Sequence, residues 1–165
     1  MTDKHPTQSQ CLQIYGNPVG YDGNASPQWE AKNLVYVVPP YEMYMGSIRI
    51  RKIKVHKKVA ESLQGVLNDI WEKCGKDQNV INKYKYNVFS GAYNFRNKRG
   101  AASLSMHAFG VAIDFDAPDN QMNDTTPLFK KDSIIVTAFE SAGWTWGGSW
   151  SSGIDAMHFQ YPTVR

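Results

Sequence analysis

Residues 103–116 constrain the possible folds of this chain more than any other part of the sequence. In the second half of this stretch, small or acidic residues alternate with three apolar ones, which are Val111, Ile113 and Phe115. Because alternate side chains of a strand point to opposite faces, the pattern predicts a strand with one apolar face. Asp114 lies on the other face. Burying its carboxylate within so apolar a segment is costly unless the carboxylate is paired or binds a metal.

Two of the four histidines lie close to acidic residues and short apolar segments. His107 precedes Asp114 across the flexible Gly110, and His158 follows Asp155 near the end of the sequence. Taken singly, these residues have ordinary alternatives, such as a hydrogen-bonded surface histidine or a capping aspartate. Two imidazoles and one carboxylate are nevertheless the ligand set of catalytic zinc sites, in which a fourth position stays open to water. The residue types therefore leave two interpretations, a metal site or ordinary structural roles.

Length and composition are those of an ordinary globular protein. The 165 residues are 42% hydrophobic and 20% charged, which predicts one soluble domain spanning residues 1–165. The net charge of +3 is too small to indicate nucleic-acid binding, and no motif for it is present, so we expect no nucleic-acid partner. The two cysteines, Cys11 and Cys74, are too few for a disulfide framework and favour free thiols in a reducing compartment.

The N-terminal residues lack the apolar segment of a signal peptide, and no run of about 20 apolar residues predicts a membrane span. We therefore expect synthesis in the cytoplasm as a soluble chain that does not insert into the membrane. A target outside the membrane would require release by another route.

Periodicity and turn residues divide the rest of the chain into short elements. Residues 1–33 are rich in Gly, Pro, Asn and Ser and predict a loop-rich N-terminal arm, with Trp29 as its anchor. Residues 76–85 predict a polar connection. Apolar residues three or four apart predict a helix over 56–74, and a second helix follows Asp132. Strands are predicted at 34–38, 86–95 and 157–161. Residues 48–55 are predicted to be extended with their basic side chains outward, either as an edge strand or as a stripe that attracts anions.

A basic and an aromatic segment flank the candidate ligands. Arg96, Lys98 and Arg99 directly precede the first ligand stretch, where an arginine could bind a substrate carboxylate through two parallel hydrogen bonds. A solvated turn is the alternative. The Gly-rich aromatic segment 144–150 fits either the wall of a groove or a cover for the edge of the sheet.

The combined spacing of these residues resembles a known enzyme family. The first motif runs from Ser105 through His107, Gly110 and Ala112 to Asp114, and Asp155-x-x-His158 follows downstream. Both resemble the zinc-dependent peptidoglycan peptidases, which include D-alanyl-D-alanine carboxypeptidases and the L-alanyl-D-glutamate endopeptidases of phage endolysins. The run from Phe139 to Trp150 is similar to the endolysin branch in particular.

The resemblance extends over residues 86–161, the expected catalytic core, and implies roles for seven residues, two of which are rivals for one role. His107, Asp114 and His158 would bind zinc (Zn2+), with Asp155 as the general base and acid. Arg96 would bind a substrate carboxylate, with Arg99 as a rival because the family more often has its arginine directly after the aromatic residue. Ser105 would support the ligand loop. Since Asp155 and His158 would face opposite ways in a continuous strand, we expect a turn near Ala156.

The fold and activity implied are those of a monomeric zinc metallopeptidase acting on the stem peptides of bacterial peptidoglycan. We expect an α+β fold, with a small central antiparallel sheet, helices packed on one face and zinc at the open side of the sheet. An endolysin-type endopeptidase, acting on the cell wall after release, is favoured. The alternatives are a D,D-carboxypeptidase acting on D-Ala-D-Ala termini and a non-catalytic module that binds wall peptides.

Overall fold

A computed structural model describes residues 5–162 and has a mixed α+β architecture, which confirms the predicted fold class. Its helices are α1 (Gln8–Tyr15), α2 (Pro27–Asn33), α3 (Lys57–Lys73), α4 (Gln78–Lys83) and α5 (Ile134–Ser141). Its strands are β1 (Leu34–Val37), β2 (Tyr44–Met45), β3 (Ile48–Arg49), β4 (Ile53–His56), β5 (Phe89–Gly91), β6 (Ala112–Phe115), β7 (Thr145–Trp146) and β8 (His158–Gln160). No helix in this part of the chain is long and apolar enough to cross a membrane.

The largest sheet is antiparallel and has the strand order β5-β6-β8-β7. Its two central strands, β6 and β8, pair so that Asp114 lies opposite His158 and Ala112 lies opposite Gln160. Directly opposed residues of an antiparallel pair project from the same face, with their Cβ atoms about 5 Å apart. The register of two central strands therefore brings residues far apart in sequence onto one face of the sheet.

The other face of β6 is buried in the core, as the alternation predicts. Val111, Ile113 and Phe115 are fully buried. Phe159 of β8 stacks on Phe139 of α5 with their ring centroids 4.2 Å apart. Helix α5 thus covers this face, and the polar face of β6 and β8 is left for the site.

Helix α3 confirms the predicted amphipathic segment and packs beside α5, β1 and β4. Its N-cap is His56, whose ring nitrogen Nδ1 accepts a hydrogen bond from the Lys58 amide at 3.0 Å. Its inward face is apolar and consists of Val59, Leu63, Val66, Leu67 and Ile70. At the other end of the core, the Trp144 indole donates to the Ser62 hydroxyl at 2.9 Å, which ties α3 to the segment leading into β7.

The prediction of a loop-rich arm over residues 1–33 was wrong at α1 and α2; residues 1–4 lie outside the described part. Helix α1 starts with a capping box, in which Thr7 and Gln10 each satisfy the other's backbone amide. Helix α2 starts with Ser26 as N-cap and Pro27 in its first turn. These signals outweigh the surrounding turn residues. Trp29 does anchor this region, since its indole donates to the Tyr15 carbonyl at 2.9 Å.

Three other boundaries differ from the predictions. The expected polar connection at 76–85 contains α4, which Asp77 caps by accepting from the Asn79 amide. The strand expected at 86–95 is limited to β5, because its pairing with β6 shifts register between Phe89 and Gly91. The basic segment 48–55 contains parts of two strands, and only β4 pairs with β1.

Candidate metal centre

His107 lies in a tight 3-10 turn, Met106–Phe109, that directly precedes β6. Ser105 caps this turn, its hydroxyl accepting from the His107 amide at 3.2 Å, which is the supporting hydrogen bond expected of Ser105. Gly110 ends the turn with φ +72°, and a Cβ at this position would lie 2.8 Å from the backbone nitrogen of His56. Only glycine therefore fits where the chain turns from His107 into the strand.

A single backbone contact fixes the orientation of the His107 ring. Its Nδ1 atom lies 2.7 Å from the Ala92 carbonyl oxygen. Since a carbonyl can only accept, Nδ1 is the donor, and Nε2 carries the lone pair in the neutral ring. The ring is 3% exposed, and Nε2 is directed towards Asp114, 3.2 Å from its Oδ2 atom.

The ring of His158 is held between two side chains on the same face of the sheet. Its Nε2 atom lies 2.8 Å from Oε1 of the buried Gln160, and its Nδ1 atom lies 3.1 Å from Oδ1 of Asp114. Donation from Nε2 to Gln160 leaves Nδ1 as the atom that can bind a cation. The tautomers of the two histidines are thus opposite, and both leave a lone pair directed at the same carboxylate.

These three side chains form a group that could hold a metal ion, with one ligand atom from each within 4.8 Å of the others. The Nε2 atom of His107 is buried and has no hydrogen-bond partner among the described residues, although Asp114 is in contact with it. A buried, unsatisfied nitrogen is costly, and a cation between the two imidazoles and the carboxylate would satisfy it. The donor set of two nitrogens and one oxygen fits catalytic zinc.

The protonation of Asp114 also suits a cation. Burial favours the neutral carboxyl, but interactions with His107 and His158 outweigh this effect and hold the pKa of Asp114 far below its usual range. Asp114 is therefore an anion at neutral pH. Burial lowers the pKa of His158, but its interactions with Asp114 and Gln160 outweigh burial, and the pKa is raised overall.

Asp155 lies beside the cluster at the start of a turn. Its backbone oxygen accepts from the His158 amide at 3.1 Å, and Ala156 and Met157 form the turn, where one was expected. The Oδ1 atom of Asp155 is buried without a hydrogen-bond partner within residues 5–162. Burial raises the pKa of Asp155, partly opposed by the nearby charge of His158. Once ionised, a carboxyl group with a raised pKa is a stronger proton acceptor than an ordinary aspartate.

A cleft of about 330 Å³ is lined by all seven candidate site residues predicted from the sequence. The cluster and Asp155 form its inner part, and Ser105, Arg96 and Arg99 also line it. The Arg96 guanidinium is exposed and donates to the neighbouring Asn97 carbonyl oxygen at 3.2 Å. Arg99 is near enough to lower the pKa of Asp155 slightly. Both arginines are placed where a substrate carboxylate could bind.

Sequence reasoning did not find His5 in the wall of the cleft, nor the Ala92 carbonyl that orients His107. The His5 ring packs edge-on against Trp150 with centroids 4.7 Å apart, and Trp150 in turn lies 5.5 Å from the ring of His158. Trp150 is therefore part of the cleft wall, one of the two roles considered for the aromatic segment. Nothing local in the sequence signals the positions of His5 or of the Ala92 carbonyl, because both depend on tertiary contacts.

Comparison with known proteins agrees with this geometry. Residues 99–161 match the family model described as D-alanyl-D-alanine carboxypeptidase. This segment is thus similar to a family of zinc peptidases. The matched range includes the three clustered side chains and Asp155, so the family resemblance seen in the sequence is confirmed. The match supports a zinc-dependent peptidase of peptidoglycan. No curated protein and no solved structure matches the chain significantly.

Proposed function

We propose that this protein is a zinc endopeptidase that hydrolyses the L-alanyl-D-glutamate bond in the stem peptides of bacterial peptidoglycan. The observation that carries the proposal is the convergence of His107, Asp114 and His158 beside the Oδ1 atom of Asp155, which is buried without a hydrogen-bond partner among residues 5–162, inside one cleft. Two neutral imidazoles and one carboxylate leave a bound zinc ion with net positive charge, as a hydrolytic site requires.

The ligands would be Nε2 of His107, a carboxylate oxygen of Asp114 and Nδ1 of His158. When bound, zinc supplies a Lewis acid that polarises the scissile carbonyl and lowers the pKa of water. The chain keeps these donors in place through the Ala92 carbonyl and Gln160, each of which fixes one histidine ring. Such supporting contacts determine which nitrogen is free to bind.

Asp155 would act on the proton. Its carboxylate takes the proton of the attacking water and returns it to the amine that leaves when the peptide bond breaks. The buried, unpartnered Oδ1 atom and the raised pKa suit the first half of this task. Proton transfer by a positioned group contributes typically ~10²–10⁴-fold to the rate. No covalent intermediate with the enzyme is required.

Arg96 or Arg99 would hold a carboxylate of the stem peptide, since both line the cleft and neither is paired with a carboxylate among the described residues. A bidentate arginine–carboxylate pair fixes orientation as well as adding affinity. Ser105 acts indirectly, by holding the turn that carries His107.

The endopeptidase assignment rests on the segment from Phe139 to Trp150, because its sequence resembles the endolysin branch of the family. In the structure this segment forms part of the cleft wall at Trp150, and its Gly147 carbonyl accepts from the Asp155 amide at 3.0 Å. A D,D-carboxypeptidase is the second candidate, favoured by the description of the matched family. A module that only binds wall peptides would have no use for the buried, unpartnered Oδ1 atom at position 155.

Hydrolysis of a defined stem pentapeptide still attached to its sugar tests the proposal. Mass spectrometry should find cleavage after L-Ala, abolished by a chelator and restored by zinc. Release of the terminal D-Ala instead would establish the second candidate. Asp155→Ala should keep its zinc and lose hydrolysis, whereas Asp69→Ala, which removes an exposed carboxylate on α3, should behave as the unmodified protein. Zinc-loaded protein that cleaves neither bond would refute a peptidase function.

A further inference from the structure

A second cavity, of about 570 Å³, adjoins the cleft of the metal centre. It lies between α1, the turn at 17–23 and the loop 95–104. The Arg96 side chain lines both cavities, so they meet at the residue proposed to hold a substrate carboxylate. A substrate that extends beyond the cleft in this direction would enter the second cavity.

The second cavity has an apolar floor and an uncharged polar rim. Half-buried or buried side chains of Leu12, Val19, Phe95 and Leu104 form the floor. Three exposed side-chain carboxamides form the rim and belong to Gln8, Asn17 and Asn97. Arg96 is the only charged side chain among the described residues that line it.

The carboxamides of the rim have hydrogen-bonding capacity to spare. Gln8 accepts from the Leu104 amide and Asn17 accepts from the Val19 amide, each through its oxygen, so their amide nitrogens remain available. The Asn97 carboxamide has no hydrogen bond to any residue that the structure describes. Each carboxamide offers donors and an acceptor without a charge.

We propose that this cavity is a subsite for an N-acetylated hexosamine, the sugar to which the stem peptide is attached. An aromatic ring with neighbouring amides suits a neutral sugar, whose carbon face packs on the ring while its hydroxyl and N-acetyl groups bind the amides. A charged ligand would find only Arg96. The subsite also gives α1 and the turn after it a role in substrate binding.

The position of the cavity bears on the scissile bond, and in this respect the inference rests on the proposed function. L-Ala is joined to the lactyl side chain of the sugar, so its carbonyl lies only one residue beyond that side chain, about 3.5 Å of extended chain. The bond between the two terminal D-Ala residues lies four residues away, about 14 Å of extended chain. A sugar subsite directly beside the metal cleft therefore matches cleavage after L-Ala.

Binding can be measured without zinc and without turnover. In an NMR titration of the full chain with the disaccharide N-acetylglucosaminyl-N-acetylmuramic acid, the backbone amides of Phe95 and Asn97 should shift. Ala102→Trp fills the cavity from an exposed position and should abolish these shifts. Ala101→Trp adds the same ring at the neighbouring exposed position, which does not line the cavity, and should leave them unchanged. Absence of shifts in the unmodified protein, or equal shifts in both variants, would overturn the subsite.

Kinetics then separate the subsite from the proposed activity. The ratio of kcat/KM for the sugar-bearing peptide to that for the free peptide should be on the order of tenfold, and Ala102→Trp should bring it near one. Ala101→Trp should keep the ratio of the unmodified protein. Cleavage of both substrates at equal rates would refute the subsite and leave the peptidase standing. Cleavage of neither, with disaccharide binding intact, would refute the peptidase and leave the subsite standing.

Discussion

Substitution of Gly147 by alanine should disable the protein without removing any group that takes part in the chemistry. A Cβ atom at Gly147 would press on the backbone of Asp155, within 3.2 Å of its Cβ and 3.3 Å of its carbonyl carbon, and closer still to its carbonyl oxygen. These atoms are backbone or directly attached to it, so no side chain can rotate out of the way. Asp155 would have to move.

The size of the effect follows from how far Asp155 moves. Restoring ordinary contact distances requires a displacement of about 1 Å, and a misplacement of this size can reduce the rate on the order of 10²-fold. That reduction corresponds to about 2.7 kcal/mol of transition-state stabilisation. The same overpacking should lower the free energy of unfolding by about 1–3 kcal/mol. The three candidate zinc ligands themselves stay on β6, β8 and the turn before β6.

The assay compares kcat with zinc content and stability in two glycine variants. Gly147→Ala should retain one zinc per chain and lose most of its kcat. Gly65→Ala is the matched control, because a Cβ at that helical position meets nothing within 4 Å. It should keep kcat and gain about 0.5–1 kcal/mol of stability. An unchanged kcat in a folded, zinc-loaded Gly147→Ala protein would refute the proposed role of Asp155 placement.

Three further predictions concern the support of the site, the titration of Asp155 and the thiols. Gln160→Met removes the acceptor for Nε2 of His158 and should weaken zinc binding about 10–100-fold in a chelator competition. The control is Asn120→Leu, which replaces a buried carboxamide outside the cleft and should destabilise the fold but leave zinc affinity unchanged. Burial raises the pKa of Asp155 in the zinc-free protein, so an NMR titration of its carboxyl group without zinc should give a pKa above the ordinary aspartate value; a pKa at or below that value would contradict the burial of this group. Burial raises the pKa of Cys11 to about 11, so this thiol should resist alkylation at neutral pH until the protein is unfolded. Rapid labelling of Cys11 in the native protein would contradict its burial.

Local patterns predicted the parts of the molecule that local forces determine. Strand β6 and helix α3 follow from apolar periodicity, because one face of each is buried in the core. The candidate site residues could be predicted because His107 and Asp114 share one short motif, and His158 and Asp155 share another. Their convergence depends on the pairing of β6 with β8, which neither motif contains.

The features that were missed have two different causes. Helices α1 and α2 carry capping signals at Thr7 and Ser26, but the Gly, Pro and Asn residues around them favoured loop. The contacts of His107 with the Ala92 carbonyl and of His5 with Trp150 arise only when distant segments pack together. Periodicity carries no information about such pairs.

The pairing of β6 with β8 determines when the candidate metal site can form during synthesis of the chain. His107 and Asp114 are synthesised well before His158, and the third ligand arrives only when β8 inserts between β6 and β7. Until that strand docks, the growing polypeptide holds two of three donors and no aligned carboxyl at position 155. The three candidate ligands and Asp155 are therefore brought together only in a chain whose strand β8 has paired with β6.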